Sequence, residues 1–115
     1  MYKNFSFYDR LNESRRVSIK YPDRIPIICE RSPTSDCPLV AKKKYLVPHH
    51  FTIGQFMFVL RKRMKLPSEK AIFLFINTTI YHSSNLLSSI YEMNKDADGF
   101  LYITYTSENT FGCRV

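Results

Sequence analysis

Three cysteines, Cys29, Cys37 and Cys113, and three histidines, His49, His50 and His82, carry the nucleophilic and metal-binding chemistry available to this chain. No two cysteines form a C-x-x-C pair, and none stands at zinc-ligand spacing from a histidine. Adjacent His49 and His50 point apart on a strand or turn, so they read as surface residues rather than as two ligands of one ion. No histidine falls beside a cysteine or serine in a nucleophile motif, there is no G-x-S-x-G, and the three glycines build no phosphate loop. The carboxylates Glu13, Glu30, Glu69, Glu92 and Glu108 are scattered and read as surface groups. Asp96-Ala97-Asp98-Gly99 reads as a turn, because a calcium loop needs a third acidic position and a closing glutamate. The expectation is a chain that is not an enzyme and carries no cofactor and no metal.

Composition then narrows the class. At 115 residues the chain is long enough for one domain with a real core, and its 44% hydrophobic and 15% aromatic content sets it apart from disordered chains. No apolar run approaches a membrane span, and Met1-Tyr2-Lys3-Asn4 starts no signal peptide, so any membrane association is expected to be acquired. An odd cysteine count without a secretory signal suggests reduced thiols in the cytosol or nucleus. The net charge of +7 favours acidic partners. Ile72 to Asn77 followed by Gly99 to Tyr105 superficially suggests the paired aromatic strands of an RNA-recognition motif. The second segment lacks the basic residue before its glycine, and only 44 residues run from Ile72 to the end, too few for that fold. The aromatics are expected in a sheet core, and no nucleic-acid partner is expected.

The elements follow from pattern. Phe7, Leu11, Val17 and Tyr21, with Arg10, Arg15, Arg16 and Lys20 between them, predict one amphipathic helix that ends before Pro22. Arg24 to Glu30 predicts a buried strand beginning near Pro26, and the Pro- and Ser-bearing stretch 32–41 a loop. Lys42-Lys43-Lys44-Tyr45-Leu46-Val47-Pro48 predicts a short strand, Lys44 to Val47, closed by a proline that cannot continue a ladder. Lysines at its start are what a sheet edge carries against unwanted pairing, and an exposed edge can equally accept a partner peptide. Thr52 and Gln55 fit a capping box. The helix behind them places Ile53, Phe56, Met57, Leu60 and Met64 on a core stripe, with Arg61, Lys62, Arg63 and Lys65 meeting the helix dipole. Ala71 to Ile76 predicts another buried strand, 77–85 a polar loop, Leu86 to Tyr91 a short helix and Phe100 to Thr106 the last strand. The expected fold is α+β: a ubiquitin-like β-grasp with a mixed four-stranded sheet, its first and last strands parallel in the centre, a crossing helix, and an N-terminal helical extension. It is one structural domain, with extension 1–22, core 23–106 and polar tail 107–115.

Tyr21 to Glu30, Lys42 to Pro48, Gly54-Gln55-Phe56, Val59 to Arg63, Asp98 to Tyr105 and Glu108 to Gly112 together resemble the autophagy-related protein 8 family of ubiquitin-like modifiers. That family includes the GABA-receptor-associated proteins and the microtubule-associated protein light chains. The resemblance covers nearly the whole chain. It implies that a cysteine protease cuts the Gly112–Cys113 bond. Activating and conjugating enzymes then carry Gly112 to the amine of phosphatidylethanolamine. A glycine leaves its carboxyl unhindered, and two acyl chains convert a soluble domain into an anchored one. The resemblance also implies binding of acidic-aromatic peptide motifs in cargo receptors and adaptors by strand addition along Lys44 to Val47. An aromatic pocket would be lined by Glu13, Val17, Pro26, Ile28, Lys44, Leu46 and Phe100. An aliphatic pocket would use Tyr45, Val47, Pro48, Phe51, Phe56, Val59 and Arg63, and Lys42 and Lys44 would attract the flanking acids.

The implied setting is a monomer in the cytoplasm and on the cytoskeleton, with microtubules a further partner, moving to autophagosome and vesicle membranes after lipidation. The chain departs from the family pattern at Ser6, where a proline is common, at Leu11, in the Ile80 to Asn85 loop, and at Phe51, which replaces a smaller aliphatic residue. An unconjugated adaptor of the same fold is the alternative reading.

Overall fold

Ser6 starts the first helix, α1 (Phe7–Lys20), by accepting the Asp9 N–H on its hydroxyl, which satisfies a donor the helix cannot pair itself. The computed structural model describes residues 1–107 apart from 34, 36, 41 and 68. After α1 come β1 (Arg24–Arg31), β2 (Lys44–Pro48), α2 (Ile53–Met64), β3 (Ile72–Ile76), β4 (Thr79–Ile80), α3 (Leu87–Asn94) and β5 (Leu101–Ser107). The strands lie in the order β2-β1-β5-β3-β4. As expected, β1 and β2 form an antiparallel hairpin and β1 runs parallel to β5 in the centre.

Among the described residues the sheet has five strands rather than the expected four. Asn77 and Thr78 take positive φ angles of 51° and 65°, the conformation of a tight two-residue hairpin turn, and lead the chain back as β4 beside β3. The stretch 77–85 was expected to be all loop. A two-residue strand gives no period to read, and neither turn residue is a glycine. β1 also begins two residues before Pro26, since Arg24 already pairs with Pro48.

Alternation along the strands divides the sheet into two faces. Ile25, Ile27, Cys29, Tyr45, Val47, Leu74, Leu101, Ile103 and Tyr105 join Ile53, Phe56, Leu60, Met64, Leu87 and Ile90 of α2 and α3 in the main core. Thr52 and Gln55 complete the expected capping box, and Met57 is partly buried against this core. Burial raises the Cys29 thiol well above its ordinary pKa, so it behaves as packing rather than as a nucleophile.

On the opposite face lies α1. Its apolar side is narrower than the sequence pattern suggests: Ser14 and Val17 are buried, Phe7 is exposed, and Tyr21 is the exposed C-cap beyond the last turn. Polar groups therefore hold the helix down. Arg10 donates to the Asp98 carboxylate at 2.6 Å, where Asp98 is fully buried. Asp98 also accepts from the Tyr102 hydroxyl and from the Phe100 N–H. Burial, then this hydrogen bond, pushes the Tyr102 pKa up. Ser14 donates to the Asp98 carbonyl. One turn further on, Glu13 accepts from Arg16 at 2.8 Å and pairs with Lys44 of β2. Hydrogen bonding from Arg16, followed by the Lys44 contact, lowers the Glu13 pKa from 4.5 to about 2.

Two outcomes follow from this seating. At Gly99, φ is +92° and an added Cβ would lie 2.4 Å from the Ser14 hydroxyl. Gly99→Ala should therefore cost about 2–4 kcal/mol in urea unfolding, and a loss under about 1 kcal/mol would contradict the close packing of α1 there. Because the folded pKa of Glu13 is depressed, its contribution to stability is complete above the ordinary value and lost as pH falls through about 2. Carboxyl NMR should find the Glu13 midpoint near 2, rising toward the ordinary value in Arg16→Ala. A wild-type midpoint near 4.5 would show that the ion pairs do not form in solution.

Candidate functional site

β2 is an edge strand, paired with β1 on one side and, among the described residues, with no strand on the other. Its five residues alternate between half-buried and buried, Lys44, Leu46 and Pro48 against Tyr45 and Val47. The register sets Leu46 opposite Pro26 and Lys44 opposite Ile28, so these side chains share the α1 face. The result is an edge with a hollow on its α1 side, where the Leu46 carbonyl accepts from the Arg24 guanidinium at 3.3 Å.

The hollow toward α1 has a volume of about 360 Å³ and is lined by Glu13, Arg16, Val17, Lys42, Lys44 and Leu46, with Lys20 and Tyr21 at its far end. Five of these residues are among those expected in the aromatic pocket or beside it. Pro26 and Ile28 are buried on the same sheet face. Phe100 is completely buried, with the Tyr2 ring edge-on to it at 5.3 Å. It can support the hollow from below but offers no surface of its own. The Tyr2 N–H is held by the Glu30 carboxylate at 2.7 Å, and Lys43 reaches the same carboxylate at 3.6 Å. The N-terminal turn and the residue just before β2 thus share one acid.

The electrostatics of this hollow are uneven. Glu13 is its one acid, held between Arg16 and Lys44, while Lys20 and Lys42 form no ion pair among the described residues. A ligand placing a carboxylate here would meet unneutralised lysine and compete with Glu13 for Lys44. Arg16, Lys20 and Tyr21 were not among the expected site residues. The Glu13–Arg16 spacing of three residues on a predicted helix was the signal for the first.

On the other side of the edge, the expected aliphatic set divides. Tyr45, Val47 and Phe56 belong to the core, with the Tyr45 and Phe56 rings meeting edge to face at 5.3 Å. Burial pushes the Tyr45 hydroxyl up to about 12, and it donates to the Lys42 carbonyl. Lys42 and Arg63 both lie over its ring, at 5.1 and 5.8 Å, so Arg63 reaches back from α2 to the edge strand. Pro48, expected beside Val47, follows the parity of Leu46. Phe51 and Val59 are half-buried and line a hollow of about 480 Å³ with Thr52, Gly54, Gln55, Phe58 and Ser83. Of these, Thr52, Gly54, Gln55, Phe58 and Ser83 were not among the expected site residues. Phe58 sits off the core stripe of its helix, and Ser83 comes from a loop.

Among the described residues no group of three or more His, Cys, Asp or Glu side chains is placed to hold a metal, and no helix is long and apolar enough to cross a membrane. Gly112 and Cys113, the expected conjugation and processing positions, lie outside the described residues.

Comparison with known proteins agrees with this geometry. The family of autophagy protein Atg8, ubiquitin-like, matches residues 9–112. Autophagy-related protein 8 of Schizosaccharomyces pombe is 57% identical over 109 residues, covering 95% of this chain and 90% of that protein. The Kluyveromyces lactis protein of the same name is 56% identical over 108 residues, covering 94% and 87%. Among solved structures, Trypanosoma brucei ATG8 superposes with a TM-score of 0.89 at 44% identity, covering 93% of each chain. Plasmodium falciparum Atg8, solved with a peptide of Plasmodium falciparum Atg3, gives 0.80 at 36% identity, covering 90% of this chain and 94% of that one. With a matched sequence, the ubiquitin-like sheet and an open lysine-led edge, the chain belongs to the Atg8 family of ubiquitin-like autophagy proteins.

Proposed function

We propose that this protein is processed after Gly112, conjugated through that glycine to phosphatidylethanolamine, and then recruits receptors by binding short acidic-aromatic peptides along β2. The observation that carries the peptide-binding half is the β2 edge, last in the strand order among the described residues, with a lysine-rich hollow on its α1 side. An extended peptide gains main-chain hydrogen bonds from such an edge and reads alternate side chains into the hollow. Lysines 42 and 44 steer its acidic residues, raising the association rate more than the final affinity.

The conjugation half rests on chemistry and kinship. Hydrolysis of the Gly112–Cys113 bond frees a glycyl carboxyl. An activating enzyme converts it to a thioester at the expense of a nucleoside triphosphate, whose phosphate carries off the carboxyl oxygen, and the lipid amine displaces the thiol to leave an amide. Glycine, lacking Cβ, suits each of these attacks, and the matched family segment ends at Gly112. The Plasmodium relative with its Atg3 peptide supports a conjugating enzyme as a partner. The protein then divides between cytoplasm and autophagosomal membrane, anchored by two acyl chains.

Intact mass of the protein from cytosol and from membranes of starved cells tests this reading. The soluble pool should lack Cys113, Arg114 and Val115, and the membrane pool should carry the lipid on Gly112. Gly112→Ala should abolish the membrane pool. An unprocessed mass in both pools would leave an unconjugated adaptor. Leu46→Ala should weaken an acidic-aromatic peptide about tenfold in calorimetry, the effect of losing one half-buried aliphatic contact, with no change in thermal midpoint. Unchanged affinity would remove the edge from the binding site.

A further inference from the structure

Arg15-Arg16-Val17-Ser18-Ile19 sets two arginines three and two residues ahead of a serine, with an aliphatic residue after it. That is the charge pattern read by a protein kinase whose substrate groove is acidic. Ser18 is exposed in the last turn of α1, and Arg15, Arg16 and Ile19 around it are exposed too. Ile19 is 82% exposed, so core packing does not explain its type. Arg15 forms no ion pair among the described residues, and Arg16 meets only Glu13 of its own helix. The end of a helix opens more cheaply than its middle, so this segment can be presented to such a groove. Extending it withdraws Val17 from its buried position, so the folded chain is modified more slowly than a free peptide of the same sequence.

A place for the phosphate is already built. Ser18 lines a hollow of about 330 Å³ between α1, the start of β1 and α3, together with Arg24, His49, Ser88, Ser89 and Glu92. Glu92 is 72% exposed in its side chain and meets Lys95 at 3.6 Å, so its charge is drawn away from the hollow. Arg24 forms no ion pair among the described residues, and its guanidinium donates to the Leu46 carbonyl at 3.3 Å. Pro26, opposite Leu46, has no N–H to give that carbonyl. We propose that Ser18 is a phosphorylation site and that Arg24, with His49, clasps the phosphate. Ser18 Oγ takes the terminal phosphoryl group of a nucleoside triphosphate. The P–O bond to the leaving diphosphate breaks, and the hydroxyl proton passes to the kinase's base. The product places about two negative charges near the negative end of the α1 dipole, which alone would loosen the last turn. Arg24 reverses that through a charge-assisted pair, stronger than its long bond to a neutral carbonyl. It then leaves Leu46, so a mark on α1 reaches the β2 edge through one side chain. Any effect on peptide docking rests on the edge reading above, whereas the site and its clasp do not.

The test treats the full chain with magnesium-ATP and cyclic-AMP-dependent protein kinase, whose groove is acidic, and follows intact and fragment masses. One phosphoryl group should appear on Ser18, and Arg15→Ala should slow its arrival about tenfold, the loss of one charged contact. Absence of phosphate from Ser18 in the folded chain, even where a free peptide spanning 12–22 is modified, would overturn the site. Thermal unfolding reads the clasp. Phosphorylation should raise the midpoint by about 4 °C in wild type and lower it in Arg24→Ala. A fall in both would overturn the clasp and leave the phosphate a breaker of the helix end. In the modified protein the Leu46 carbonyl carbon should resonate as it does in unmodified Arg24→Ala. A resonance that stays at its unmodified wild-type position would show Arg24 still on Leu46 and overturn the link to the edge.

Discussion

The contact between Arg10 and Asp98 carries the architecture of the sheet face that bears the β2 hollow. Asp98 is wholly removed from water, and a buried carboxylate persists only where its charge is matched and its lone pairs are filled. Arg10, Tyr102 and the Phe100 N–H meet both requirements at once. The arginine comes from one end of the chain and the aspartate from the other, 88 residues apart. The pair therefore fixes α1 on a sheet face where the helix buries little apolar surface of its own.

From that anchor the hollow beside Lys44 acquires its wall. Once α1 is seated, Glu13 and Val17 stand over Leu46, and Glu13 reaches Lys44 across the gap. The pair is partly open to solvent, so it contributes less to stability than to arranging charge. It neutralises one lysine and leaves Lys42 and Lys20 to face an incoming acid. Without the helix, β2 would be an ordinary lysine-guarded edge. With it, the edge has a floor and a wall, and its lysines outnumber the one acid, Glu13.

Much of this was legible because it depends on neighbours in the chain. The capping box at Thr52 and Gln55, the proline after Tyr21, the β-branched run of β1 and the alternation of β2 are local patterns, and the structure realises each of them. The central parallel pair followed from element order. The departures share one cause. β4 has two residues and so no period, Phe7 and Tyr21 lie beyond the part of α1 that meets the sheet, and Phe58 is one helical step off the core stripe. In each case the outcome depends on where another element ends.

Residue order alone therefore established the elements, the likeness to a ubiquitin-like family and the edge strand with its lysines, because helix and strand periods and backbone capping act over a few residues. Tertiary structure decided which charges meet, Arg10 with Asp98 and Glu13 with Lys44. It also decided that Phe100 is buried against Tyr2, and that Gly54, Phe58 and Ser83 line a hollow over the start of α2. These are encounters between segments distant in the chain, set by how the sheet closes and which surfaces it leaves uncovered, and no local pattern of residues specifies them.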